Sequence, residues 1–313
     1  MDCSVLEKYQ LRWESRSSIR SRPRKAINFS LSGDFFPRDK QVLFLLPEVC
    51  ALSEQTKQDI LLLSFHKYLN DIIHLETQWI YNACHTMMHK KTPAIYSSFI
   101  KLNASTVIID EYYHVYMAYD LLNQLKEKFS HLPDLDSHFS DATHAVMTIK
   151  NTLHEKYHDV FEILAVCIFE TTLLKELVTY FDSETIHPTI KYYINDHMND
   201  EAKHFGFFYE ILCYTWANLP EDYRQEIGSQ LGKFLILYLN VDGDRDYNTR
   251  VLAWAIGDNE KAKSLVEKIY QGFEISPEIP IVKNVLSVFG KSGILSHDAV
   301  RESFQVNGLI DKG

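Results

Sequence analysis

The chain has 313 residues and a mass of 36.5 kDa, with 46% hydrophobic and 24% charged residues, a balance that excludes a disordered chain or a fibrous repeat. Its 32 Lys plus Arg against 42 Asp plus Glu leave a net charge of −10. That argues against broad capture of nucleic acid or of an anionic membrane, though not against a local basic patch.

Residues 1 to about 40 read as an irregular arm laid over the body, because Arg16, Arg20, Arg22, Arg24 and Lys25 crowd one segment while Pro23, Gly33 and Pro37 interrupt any helix. The N-terminal run carries charges where a secretory signal needs an apolar core. The longest apolar stretches, FEILAVCIFE and FLILYL, fall well short of the about 20 residues that cross a bilayer as a helix. A soluble cytoplasmic protein is expected. Cys3, Cys50, Cys84, Cys167 and Cys213 form an odd set with no CxxC pair, so they read as reduced, mostly buried thiols and not as a disulfide framework or zinc site.

With only 11 Gly and 9 Pro, the remainder favours long helices. From about 54 onward Leu61, Leu62, Phe65, Leu69, Ile72, Ile73 and Glu76 recur at three- and four-residue steps, as on one face of a helix. Further helices are predicted over 104–129, 138–181, 188–217, 221–239, 246–256, 259–271 and 279–289. Strand-like alternation is almost absent, so the fold class is all-α, and no fixed period suggests a repeat array. One domain is expected over 1–313, divided into the arm (1–40), a central bundle (54–217) and accessory C-terminal helices (218–313). Phe234, Leu235, Leu237 and Tyr238 of the last part are expected to pack on the bundle or to form a dimer contact.

Two tempting motifs fail. Asp242, Asp244 and Asp246 open like a calcium loop, but Tyr247 stands where the turn needs Gly and Ala253 where a bidentate Glu belongs. Gly290, Lys291 and Ser292 end like a phosphate-binding loop, yet Val285 replaces the required upstream Gly.

The residues that carry chemistry lie in the central bundle. Glu111 and His114, and again Glu201 and His204, form two copies of D-E-x-x-H in helical sequence. Positions i and i+3 share a helix face, so each pair can reach one metal. Two such helices are the layout by which four-helix bundles build di-iron or di-manganese sites, with one further Glu from each of the other two helices. Glu170 interrupts a run apolar on every side, and a buried carboxylate is costly unless paired or metal-bound. Glu76 is the matching candidate on the first helix. The separations of 35, 59 and 31 residues between Glu76, Glu111, Glu170 and Glu201 give two short connections around one long crossover, the ferritin-like topology. Asp110 and Asp200 precede the two motifs and are placed to accept the outer imidazole proton of a ligating His, directly or from a neighbouring helix. His197 stacks with Glu201 and His204 as H-x-x-x-E-x-x-H and points to a third His ligand.

In this pattern the sequence resembles the AurF-like di-iron amine N-oxygenases, typified by the p-aminobenzoate N-oxygenase. The seven ligands of that family, Glu, E-x-x-H, Glu and H-x-x-x-E-x-x-H, match Glu76, Glu111, His114, Glu170, His197, Glu201 and His204 in order. The resemblance implies two iron ions per chain, with Glu111 and Glu201 bridging, Glu76 and His114 completing one iron, and Glu170, His197 and His204 the other. It also implies O2 as co-substrate, reaction of an amine with a peroxo-diferric unit to give a hydroxylamine and further nitroso or nitro products, an external electron donor, and a homodimer. The amine is aryl or aliphatic, free or carrier-bound. Tyr112, Tyr113, Tyr192, Tyr193, Phe205, Phe207 and Phe208 are candidates for a substrate pocket, with core packing the commoner role for such residues, and Tyr193 stands out because it lies one turn from His197. Two other readings remain: a di-iron oxidase acting at carbon, by hydroxylation or desaturation, and a non-enzymatic metal-binding bundle.

Overall fold

The computed structural model describes residues 3–17, 19, 22, 24–135, 140–181 and 183–311, with the side chains of 3–6, 10, 14 and 173–180 not described. Arg20 and Pro23 of the expected arm lie outside the described residues. Among the described residues there is no strand, only an isolated parallel bridge between Asp34 and Ile186, and the fold is a ferritin-like helical one.

Four helical rods make the bundle. The first is α2 (Glu54–Leu75), which runs through a π-helical turn (Glu76–Ile80) into α3 (Tyr81–His89). The second is α4 (Ser98–Lys128), the third α6 (His158–Tyr180) and the fourth α7 (Pro188–Ala217). Their starts follow from local chemistry: Ser53 and Ser97 accept from the backbone N–H of Thr56 and Ile100, and His187 accepts from Thr189 ahead of Pro188 at the first helical position. α4 packs on α2 and α3, and α6 packs on α7, so the long crossover carries the chain between the two pairs. A core of Val107, Ile163, Phe169, Phe207 and Phe208 fills one end of the interior, and Phe65, Leu69, Leu121, Ile190 and Tyr193 fill the other.

Two expectations from sequence need correction. The arm is not irregular throughout, since Cys3–Arg16 forms helix α1, whose Tyr9 and Trp13 are buried four residues apart against α4 and α7. Two apolar anchors among many charges gave too weak a periodicity to read. The rest of the arm does lie over the body: Ile27 donates its N–H to Gln124 at 2.7 Å and Arg24 pairs with Asp120 at 2.6 Å. The predicted helix over 138–181, whose first residues 138 and 139 lie outside the described ones, is two helices, α5 (Asp141–Thr152) and α6. They are separated at Leu153 and His154, which are extended. No Gly or Pro marks the break because two histidines satisfy it: His154 accepts from the Lys156 N–H, and His158 Nε2 bonds the Leu153 carbonyl at 3.0 Å.

The C-terminal helices are α8 (Glu221–Tyr238), α9 (Asp242–Ile256), α10 (Asn259–Tyr270), α11 (Pro280–Lys291) and α12 (Asp298–Val306). Phe234 and Tyr238 of α8 pack on α6, with Phe169 and Tyr238 rings 4.7 Å apart, so these residues are buried within the chain. The rejected calcium-like run Asp242–Asp246 opens α9 and is no loop.

Candidate metal centre

All seven sequence-derived residues meet inside the bundle. Glu76 comes from the π turn, Glu111 and His114 from α4, Glu170 from α6, and His197, Glu201 and His204 from α7. Each is buried except Glu201, which is nearly so. Donor atoms of Glu76, His114, His197 and Glu201 lie within 4.8 Å of one another, as do those of Glu111, Glu170, Glu201 and His204. This grouping corrects one implied detail: His197 stands with Glu76 and His114, not with Glu170 and His204. Its Nε2 is 3.3 Å from Glu76 Oε1 and 3.0 Å from Glu201 Oε1, and its ring centroid is 4.2 Å from that of His114.

Glu111 and Glu201 sit between the two groups. Glu111 sends Oε2 to His114 Nδ1 at 3.2 Å and Oε1 to His204 Nδ1 at 3.0 Å. Glu201 sends Oε1 to His197 and Oε2 to His204 Nδ1 at 3.5 Å. Each carboxylate thus offers one oxygen to each side. Several of these atoms make no aligned hydrogen bond, among them Glu76 Oε2, Glu111 Oε1, Glu170 Oε2 and His204 Nδ1. Buried polar atoms that converge without partners are costly unless a cation satisfies them. Four carboxylates also balance two divalent ions, and mixed oxygen and imidazole donors suit iron. The residues therefore fit a metal pair.

The electrostatics of the side chains agree. Burial, and then Glu201 and Glu111, push the Glu170 carboxyl well above the usual range. Burial also raises Glu201, but His204 and His197 outweigh it and hold that group well below its ordinary value. Burial would lower His114, yet bonds to Asp200, Glu111 and Glu76 raise it well above the usual imidazole value.

The two aspartates act across helices. His114 Nε2 on α4 donates to Asp200 Oδ2 on α7 at 3.3 Å, and His204 Nε2 on α7 donates to Asp110 Oδ2 on α4 at 3.4 Å. Each bond leaves Nδ1 facing the centre. Sequence reasoning missed what lies behind them: Ser17, just past α1, donates to Asp110, and Lys203 donates to Asp200. It also missed Tyr68, whose buried hydroxyl has no hydrogen-bond partner and is raised by burial and by Glu76 and Glu201. Lys203 could have been found as the i+3 neighbour of Asp200, whereas nothing local marks Ser17. Tyr193 is buried with its ring 6.1 Å from His197. Of the other aromatic candidates, Phe207 and Phe208 are core, while Tyr112 and Tyr192 are exposed.

A ferritin-like helical bundle with carboxylate and histidine donors converging at its centre defines the class of this protein. The chain belongs to the P-aminobenzoate N-oxygenase AurF family, whose sequence profile matches residues 48–260. Membership brings with it an oxygenase of a di-iron family. No curated protein matches the chain. No helix among the described residues is long and apolar enough to cross a membrane.

Proposed function

We propose that this chain is an O2-dependent di-iron N-oxygenase that converts an arylamine to the hydroxylamine and onward to nitroso or nitro products. The observation that carries the reading is the pair of four-residue donor groups joined by Glu201, with Glu111 likewise reaching both. Glu76, His114 and His197 would hold one ion, Glu170 and His204 the other, and Glu111 and Glu201 would span them. Bound there, two ferrous ions would supply O2 with the electrons that ready it for transfer to an amine nitrogen.

The chain's own residues prepare the site. Asp200 and Asp110 keep the outer protons of His114 and His204, so that neutral imidazole lone pairs face inward. His197 adds a third neutral donor without adding negative charge, which favours oxygen transfer to nitrogen over attack on C–H bonds. Apolar walls on both sides keep bulk water from the centre. Tyr193 and Tyr68 bury unpartnered hydroxyls near the centre and would offer polar anchors to a substrate that reached it. An external donor returns electrons between turnovers.

The test is anaerobic loading with ferrous iron, a count of iron per chain, and then O2 with an arylamine, followed by mass spectrometry of the product. Two irons and a nitrogen-centred hydroxylamine are expected. Oxidation only at carbon overturns the amine assignment, and failure to bind iron overturns the reading as a whole. His197→Ala is expected to keep iron but lose most N-oxygenation.

A further inference from the structure

The chain is acidic overall, yet helix α1 carries a run of exposed cations. A cleft of about 620 Å³ opens between α1 and α7, its wall including Leu11, Arg12, Arg16, Arg22, Asn199 and Lys203, and no acidic residue is among its described lining residues. Lys8, Arg12 and Arg16 follow one another at four-residue steps on exposed positions of α1. Arg22 in the cleft wall and Arg24 beyond it are paired with Asp196 and Asp120, so the unpaired charge of the patch comes from α1. In the cleft wall Leu11 is 69% exposed. An exposed leucine beside a run of three cations longer than the cleft, with exposed Glu7 among them, suits a protein surface better than a small anion.

The cleft also meets the interior. Lys203, buried at its base, donates to Asp200 Oδ1, and Asp200 Oδ2 accepts from His114 Nε2 at 3.3 Å. Three residues therefore connect the cleft wall to a proposed iron ligand by hydrogen bonds. We infer that the α1/α7 cleft is the docking surface for an acidic one-electron carrier protein, and that Lys203, Asp200 and His114 form the route by which its electrons reach the centre. The inference rests on the reading of a redox-active iron pair. Two reduced carriers would each give up one electron, taking a diferric pair to the diferrous state with no bond made or broken in the carrier.

The probe is an acidic plant-type [2Fe–2S] ferredoxin, and the first readout is its binding to the iron-free chain, measured by calorimetry, which needs no metal. Weak binding is expected that falls by about tenfold or more between about 0.05 and 0.5 M NaCl. Arg12→Glu with Arg16→Glu is expected to weaken it by a further factor of about ten, and Arg12→Gln with Arg16→Gln by less. Lys261→Glu with Lys263→Glu, exposed on α10, serves as the control and is expected to change it little. No binding, or equal loss in the control pair, overturns the docking surface. A change in sedimentation mass on reversing Arg12 and Arg16 overturns it too, since the patch would then join two copies of this chain. In the iron-loaded chain Lys203→Gln, compared at equal iron content and with ferredoxin saturating, is expected to take up its electrons about tenfold more slowly than the parent. Equal rates overturn the route. A chain that binds iron and is reduced by dithionite while ignoring ferredoxin refutes this inference and leaves the proposed function standing. A chain without iron refutes the latter.

Discussion

At the scale of single residues, the aspartates behind the histidines set how firmly the centre is held. Asp200→Asn leaves every proposed ligand in place, but with its oxygen kept by Lys203 it turns an NH2 donor toward His114 Nε2 and no longer fixes that tautomer. Ferrous titration is expected to show affinity weakened by about 10- to 100-fold, whereas unchanged affinity would show that the bond is ornamental. A second residue-scale effect lies away from the site. Burial, then Lys126, hold the His66 imidazole down to about 4. Above about 6.5 the side chain is neutral whether folded or not, so no stability depends on pH there. Between about 6.5 and 4 only the unfolded chain takes up the proton, and stability is expected to fall with falling pH by up to about 3 kcal/mol. His66→Gln should flatten that slope in urea melts run across the window. The converging donor residues were legible because E-x-x-H is fixed by helix geometry and because Glu170 breaks an otherwise apolar run. Ser17, Lys203 and Tyr68 were not, since each is ordinary in its local sequence and takes its meaning from a partner on another element.

At the scale of elements, the π turn at Glu76–Ile80 decides where the first ligand points. Tyr81 donates to the Glu76 carbonyl five residues back, which inserts one residue into the helical register without ending the rod. Deleting Gln78 takes out that extra residue and restores α-helical hydrogen bonding with α2 and α3 still in phase. The buried face of α3, made by Ala83, Cys84 and Met87, keeps its seat, while the turn that aims Glu76 tightens and moves its carboxylate. Metal analysis is expected to fall from two ions per chain to about one, with helicity preserved. Neither this turn nor the break at Leu153 could be read beforehand. Both lack Gly and Pro, and both are settled by contacts that a 3.6-residue periodicity does not encode. Helix α1 escaped because its two described buried anchors, Tyr9 and Trp13, stand among charges and give too weak a periodicity.

At the scale of the whole molecule, the C-terminal helices buttress the wall that carries Glu170. Phe234 packs on Phe161 and Phe169, and α8 is in turn held by α12, which comes so close that a Cβ at Gly232 would lie 2.4 Å from the Ser303 carbonyl oxygen. Gly232→Val is expected to cost about 1–3 kcal/mol in urea unfolding. Gly206→Ala in α7, where nothing lies within 4 Å, should instead stabilise by about 0.5–1 kcal/mol through helix propensity. The reciprocal bonds from His114 to Asp200 and from His204 to Asp110 have a consequence for how such a chain matures. Neither α4 nor α7 holds the aspartate that orients its own histidine, so neither can present a finished ligand set before the other arrives. Capture of the proposed metal pair would therefore wait until the two helices have met, and a partly synthesised or locally unfolded chain would be spared a reactive metal that only the complete bundle can shield.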